Sequence, residues 1–201
     1  MPHIFAASTR PGRGLLGAGA AGFVALALLA AATSASAQNE AAAGCSKRTY
    51  PGQPVKHTQN IELKPKYNSF PPTTGTHYYL PAKFNFYTFA LPQLVVVHNL
   101  EHGGVAVQYG RKVPAATVAK IKAWYLRDTN ALLVAPLPAL GDKIALTAWN
   151  AEPYQGSKPD PGRGIVATCS GFDAAEFTAF VKQHRYKSGE RFAKSVTARQ
   201  Q

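Results

Sequence analysis

Four of the six histidines in this chain fall between positions 57 and 102, and two of them frame the run His98-Asn99-Leu100-Glu101-His102. If that run is helical, residues four apart lie on one face. The imidazoles of His98 and His102 can then converge on one ion with Glu101 beside them. His77 sits in a proline-rich segment and His57 a short distance upstream, so both can reach the same place from outside the helix. Neutral imidazole is a ligand for borderline transition metals, whereas Ca²⁺ and Mg²⁺ prefer oxygen. The expected donor set is therefore His57, His77, His98, His102 and Glu101, and the expected ion is copper or zinc. Glu101 has three roles open to it: ligand, hydrogen-bond partner orienting a histidine, or general base. The plainer possibility is that these side chains hydrogen-bond one another and the loop, with no ion.

The string His98-x-x-Glu101-His102 also matches the inverted zincin pattern, in which the glutamate activates a zinc-bound water. That chemistry needs a third protein ligand and an open coordination position. Glu176 is a possible downstream ligand by sequence, and Gly103-Gly104 end the helix at once. Metal handling or a structural metal site is therefore the leading reading, with two alternatives beside it. One is a zinc hydrolase with Glu101 as base; the other is a non-enzymatic envelope-interaction module with a structural histidine loop.

Around these residues, Tyr78, Tyr79, Phe84, Phe86, Tyr87 and Phe89 crowd the stretch between His77 and the helix. Most are expected in the core or at its rim, the alternative being an apolar wall or a glycan-stacking surface. Lys64, Lys66 and Lys83 can attract an anion, or can simply be solvated surface.

The elements that must position the histidines follow from pattern and punctuation. His57 to Leu63 reads as a short strand, and residues 67–78, with Pro71, Pro72 and Gly75, as a stiff loop carrying His77. Pro92 opens a short helix over Leu94, Val97, Leu100 and Glu101, although Val95-Val96-Val97 prefers a strand. Val105 to Tyr109 alternates as a strand, and Pro114 opens a second helix through Val118, Ile121, Trp124 and Tyr125. Leu132 to Ala135 and Lys143 to Trp149 are further strands joined by a Pro/Gly turn. Asp173 with Glu176 three residues on starts a last helix bearing Phe177, Phe180, Val181 and His184. With no internal repeat, the expectation is a single compact α+β domain: a small mixed or antiparallel sheet with two to three helices.

The chain's ends carry different information. Arg10 and Arg13 precede an apolar stretch from Leu15 to about Ala32, and Ala35-Ser36-Ala37 follows, which together read as a secretory signal peptide over residues 1–37. The stretch is too diluted by glycine and alanine for a membrane span, so no transmembrane segment is expected in the mature chain. Residues 38–54 then read as an extended arm, 55–186 as the domain, and 187–201 as a flexible basic tail. The chain has 22 Lys+Arg against 10 Asp+Glu. Near its end Lys182, Arg185, Lys187, Arg191, Lys194 and Arg199 face only Glu190. That density is either a solvated face or attraction to an anionic envelope surface. Nucleic acid is not an expected partner, because export removes the protein from it and no aromatic–basic recognition motif is present.

Export to the periplasm or the exterior favours oxidation, so a Cys45–Cys169 disulfide is the first expectation for the two cysteines. A lipid anchor on Cys45, within the lipobox-like Ala42-Ala43-Gly44-Cys45, and a copper thiolate are its rivals.

The middle of the chain resembles a bacterial family known as domain of unknown function 3105. The resemblance rests on Tyr67-Asn68 leading to Pro71-Pro72-Thr73-Thr74-Gly75-Thr76-His77-Tyr78, on His98-Asn99-Leu100-Glu101-His102-Gly103, and on Ala148-Trp149, with His57 also in place. It spans roughly residues 45 to 185. Where the family usually shows Ser-Gly-Pro-His, this chain has Thr74-Gly75-Thr76-His77, which keeps the histidine and loses a stiffening proline. The resemblance implies an exported or membrane-tethered envelope protein and no particular activity.

Overall fold

The computed structural model describes residues 44–153 and 160–190. The signal-peptide reading of residues 1–37, the first part of the arm, and the tail from 191 onward lie outside the described residues. Among those described, no helix is long and apolar enough to cross a membrane.

The elements run β1 (Cys45–Pro51), β2 (Lys56–Thr58), β3 (Thr76–Tyr78), α1 (Gln93–Glu101), β4 (Val105–Tyr109), α2 (Ala115–Tyr125), β5 (Leu132–Pro136), a 3-10 turn (Pro138–Leu140), β6 (Ile144–Asn150), β7 (Arg163–Cys169) and α3 (Ala174–His184). Five strands form one mixed sheet in the order β1-β7-β6-β4-β5, parallel only between β4 and β5, and β2 pairs with β3 in a small parallel sheet of their own. The fold is α+β, as the alternation of strand and helix signals predicts.

Both faces of β4 and of the neighbouring edge strand β5 are buried, which is why β5 reads as an unbroken apolar run. Val105 and Val107, with Leu132 and Val134, point to a core closed by Ile121 and Trp124 of α2 and by Phe177 and Phe180 of α3. The intervening Ala106, Leu133 and Ala135 point the other way, onto Val96, Val97 and Leu100 of α1 with Phe84 and Trp149. Helix α1 is thereby sandwiched between the sheet and the β2–β3 layer, and every residue from Leu94 to Glu101 is buried. Burial on all sides outweighs the strand preference of three consecutive valines. Asn99 fastens the preceding loop, its Oδ1 accepting from the Ala82 amide at 3.0 Å and its Nδ2 donating to the Ala82 carbonyl at 2.8 Å. At the start of α3 the Asp173 carboxylate accepts from the Glu176 amide at 2.8 Å, the cap its spacing predicts.

Three local expectations change. The strand expected over His57 to Leu63 stops at Thr58, because Thr58 Oγ1 and Asn60 Oδ1 accept from the Asn60 and Glu62 amides and turn the chain. The segment read wholly as loop supplies strand β3 at its end. The arm is not peripheral: its residues 45–51 are the edge strand β1, paired in antiparallel register with all of β7. Cys45 and Cys169 face each other in that ladder and are joined by a disulfide. A sulfur so bonded is not available for lipid attachment or copper.

Candidate metal centre

The parallel register of β2 and β3 places His57 directly beside His77, so the two rings leave the same face of the small sheet with centroids 4.4 Å apart. Position 77 is held by its own loop. The Tyr67 hydroxyl donates to the Thr76 carbonyl at 2.6 Å, the Gln53 amide donates to Thr74 Oγ1 at 3.0 Å, and Thr73 and Thr74 are fully buried. Gly164 of β7 admits this loop, since a Cβ there would overlap the Thr73 hydroxyl. Helix α1 packs on β3 and presents His98 and Glu101, one turn apart on one face.

The result is a buried carboxylate ringed by imidazoles. Glu101 Oε2 lies 2.9 Å from His77 Nε2, 3.5 Å from His57 Nε2 and 3.9 Å from His98 Nε2. His77, His98 and Glu101 are buried, whereas the His57 side chain is 45% exposed and forms the side open to solvent. Trp149 closes the site from the sheet side, its ring edge-on to His77 at 6.1 Å.

The tautomers are determined by backbone carbonyls, which only accept. His77 Nδ1 donates to the Gly75 carbonyl at 2.8 Å, and His98 Nδ1 donates to the Tyr78 carbonyl at 2.6 Å. In the neutral rings Nε2 therefore carries the lone pair, and in both it is the nitrogen turned toward Glu101. Gly75, at φ +106°, adopts a backbone conformation that few other residues tolerate. Burial, reinforced by the nearby His102, lowers the His98 pKa to about 4 despite the Tyr78 and Glu101 contacts that oppose the shift, so this ring is neutral at pH 7. His77 Nε2, although close to the carboxylate, is not aligned as a hydrogen bond to it.

His102 does not join this set, contrary to the expectation that it would share one ion with His98. Among the described residues, two groups have donor atoms all within 4.8 Å of one another: His57, His77, His98 and Glu101, and separately Glu101, His102 and Glu190. The rings of His98 and His102 are adjacent, at 4.4 Å between centroids, but their donor atoms belong to different groups. Two positions that share a helix face still diverge when one lies at the C-cap, where the chain is leaving the helix. Glu176 belongs to neither group and sits in the first turn of α3. Glu190 was hidden in the sequence as the only acidic residue of a basic terminus. That isolation was the one signal available.

Of the aromatic cluster, Phe84 is core, while Tyr79 and Phe89 are exposed and do not wall the site. Lys66 and Lys56 line a groove of about 430 Å³ beside His57, and Lys64 and Lys83 do not.

A small mixed sheet covered on both faces, with a histidine–carboxylate cluster wedged between α1 and a two-stranded outer sheet, defines an α+β protein with a site suited to a cation. Residues 57–197 match the family described as "Protein of unknown function (DUF3105)", and the chain belongs to that family. No curated protein and no solved structure matches it.

The sixth histidine, His184, lies outside the cluster and reports on stability. Its Nδ1 accepts from Asn150 Nδ2 at 3.0 Å, and burial, with the positive charge of Lys47 adding to it, lowers its pKa to about 4. Between about pH 6.5 and 4 the unfolded chain thus binds protons at positions 98 and 184 that the native chain does not. Stability of the metal-free protein is expected to fall as the pH drops through that window, with unfolding taking up about two protons. Denaturant melts over the window test this, and a flat profile would contradict it.

Proposed function

We propose that this protein binds a transition-metal ion, zinc or copper(II), through His57, His77, His98 and Glu101, and that it holds or hands on that ion in an exported compartment. The observation that carries the reading is the convergence of the Nε2 atoms of His57, His77 and His98 on one buried carboxylate oxygen, with the His77 and His98 rings each locked by a bond from Nδ1 to a backbone carbonyl. A cation among them would satisfy the carboxylate and the nitrogens together, and the Nδ1–carbonyl bond is the usual support of a metal-binding histidine. Distances agree as well. A tetrahedral ion about 2.0–2.1 Å from its ligands separates them by about 3.3 Å, and the three nitrogens stand 2.9, 3.5 and 3.9 Å from Glu101 Oε2.

Three imidazoles and a carboxylate complete a four-coordinate shell, which supports holding an ion over hydrolysis with Glu101 as base: a ligand carboxylate is not free to take a proton from water. The exposed His57 supplies a ligand that can detach toward solvent, as an exchangeable site requires. A disulfide across β1 and β7 fits an oxidising, periplasmic or extracellular setting, and the basic terminus fits attraction to an anionic envelope surface.

Metal analysis of untagged protein tests the reading. His77→Ala and His98→Ala are each expected to remove the ion held by this group, whereas His184→Ala retains it. Equal metal content in all of these proteins would exclude the site.

A further inference from the structure

The segment after α3 is built onto the end of α1. Gly103, at φ +80°, turns the chain out of that helix, and its carbonyl accepts from the Tyr186 amide at 2.8 Å. A Cβ at position 103 would press on Tyr186 Cα at 3.0 Å and Ser188 Oγ at 3.2 Å, so glycine is needed for the approach as well as for the turn. Tyr186 itself adopts φ 61°, unusual for a large side chain, and Ser188 is fully buried. The Ala151 amide donates to the Lys187 carbonyl at 2.8 Å. The tail expected to begin at 187 is therefore packed as far as its described residues reach. What this construction delivers is Glu190, whose Oε2 is buried, has no hydrogen-bond partner among the described residues and stands 3.1 Å from His102 Nε2.

We propose that Glu101, His102 and Glu190 form a second cation site, contiguous with the first and sharing Glu101 with it, so that the protein holds a pair of divalent ions. The donor atoms of these three residues lie within 4.8 Å of one another. A carboxylate has two oxygens and about four lone-pair directions, enough to serve two ions at once. Two-metal centres place their ions about 3.5–4 Å apart, often joined in this way. The second site differs in chemistry from the first: two carboxylates and one imidazole make it harder, suited to Zn²⁺ or Mn²⁺ in preference to copper(I). With three protein ligands it also leaves a coordination position for water or for an oxygen of an anionic ligand, which the first site does not. The second site rests on the metal reading of the first only through their common ligand, Glu101.

Zinc titration of the untagged full chain against a chromophoric chelator tests the pair. The wild type is expected to bind two equivalents. Glu190→Gln, a change of similar shape at a partly exposed side chain, is expected to bind one, with the affinity of the remaining equivalent unchanged. His102→Ala should behave in the same way and provides a second variant if the first fails to fold. One equivalent in the wild type and in both variants would overturn the second site and leave the first standing, since His102 and Glu190 would then be a simple ion pair. Two equivalents in all three proteins would place the second ion elsewhere and also overturn it. No bound zinc in the wild type would remove both sites.

Discussion

Zinc is expected to raise the melting temperature of the metal-free protein by about 8–16 °C. A ligand that binds only the native state stabilises it by RT ln(1 + [L]/Kd), which is about 4 kcal/mol at a free concentration of about 1,000 Kd. For a domain of this size each kcal/mol is worth about 2–4 °C. Selectivity for the native state is the key condition, and the site meets it. His57 and His77 are neighbours only through the β2–β3 register, and Glu101 meets them only because α1 packs on β3. In the unfolded chain these donors are scattered and bind weakly. A chelator should reverse the shift. His77→Ala, which removes a fully buried donor, should abolish most of it. An unchanged melting temperature at saturating zinc, in protein with its native circular dichroism, would rule out a site formed by folding.

Reduction of the Cys45–Cys169 disulfide is expected to cost about 4–5 kcal/mol. The bond spans 124 residues of sequence, and in the chain-entropy model closing so long a loop restricts the unfolded ensemble by about that amount. The loss should also be local. β1 is an edge strand with four exposed side chains in its middle, held on one side only, by β7. Once the sulfurs part, its amides should exchange before those of β4 and β6, which lie inside the sheet. Denaturant melts with and without reductant give the magnitude, and amide exchange gives the place. Equal stability of the two forms would mean that the covalent link adds nothing to the ladder.

These two effects lie at opposite ends of the molecule's legibility. The disulfide was readable because only two cysteines are present, so one pairing exhausts them. The candidate donors were readable as types, since His98 and Glu101 are three apart on a helix announced by Pro92 and ended by Gly103. Asp173 and Glu176 marked the start of α3 in the same local way. Each of these features depends on residues close in sequence or on a choice with one answer.

Tertiary structure decided the rest. No local pattern says that a three-residue strand at His57 pairs in parallel with one at His77, because parallel pairing joins segments that have no short connection between them. The separation of His98 from His102 was equally hidden: helical periodicity places them on one face, but the chain leaves the helix at His102 and its partner, Glu190, arrives from beyond α3. The role of residues 45–51 as a strand depended on β7, more than a hundred residues away, offering an open edge. Composition and spacing thus determined which donors this protein owns and left a single intramolecular pairing open to its two cysteines. Which donors share a site was settled by long-range backbone pairing and by the docking of one segment on another, since those contacts are chosen by the free energy of the whole fold.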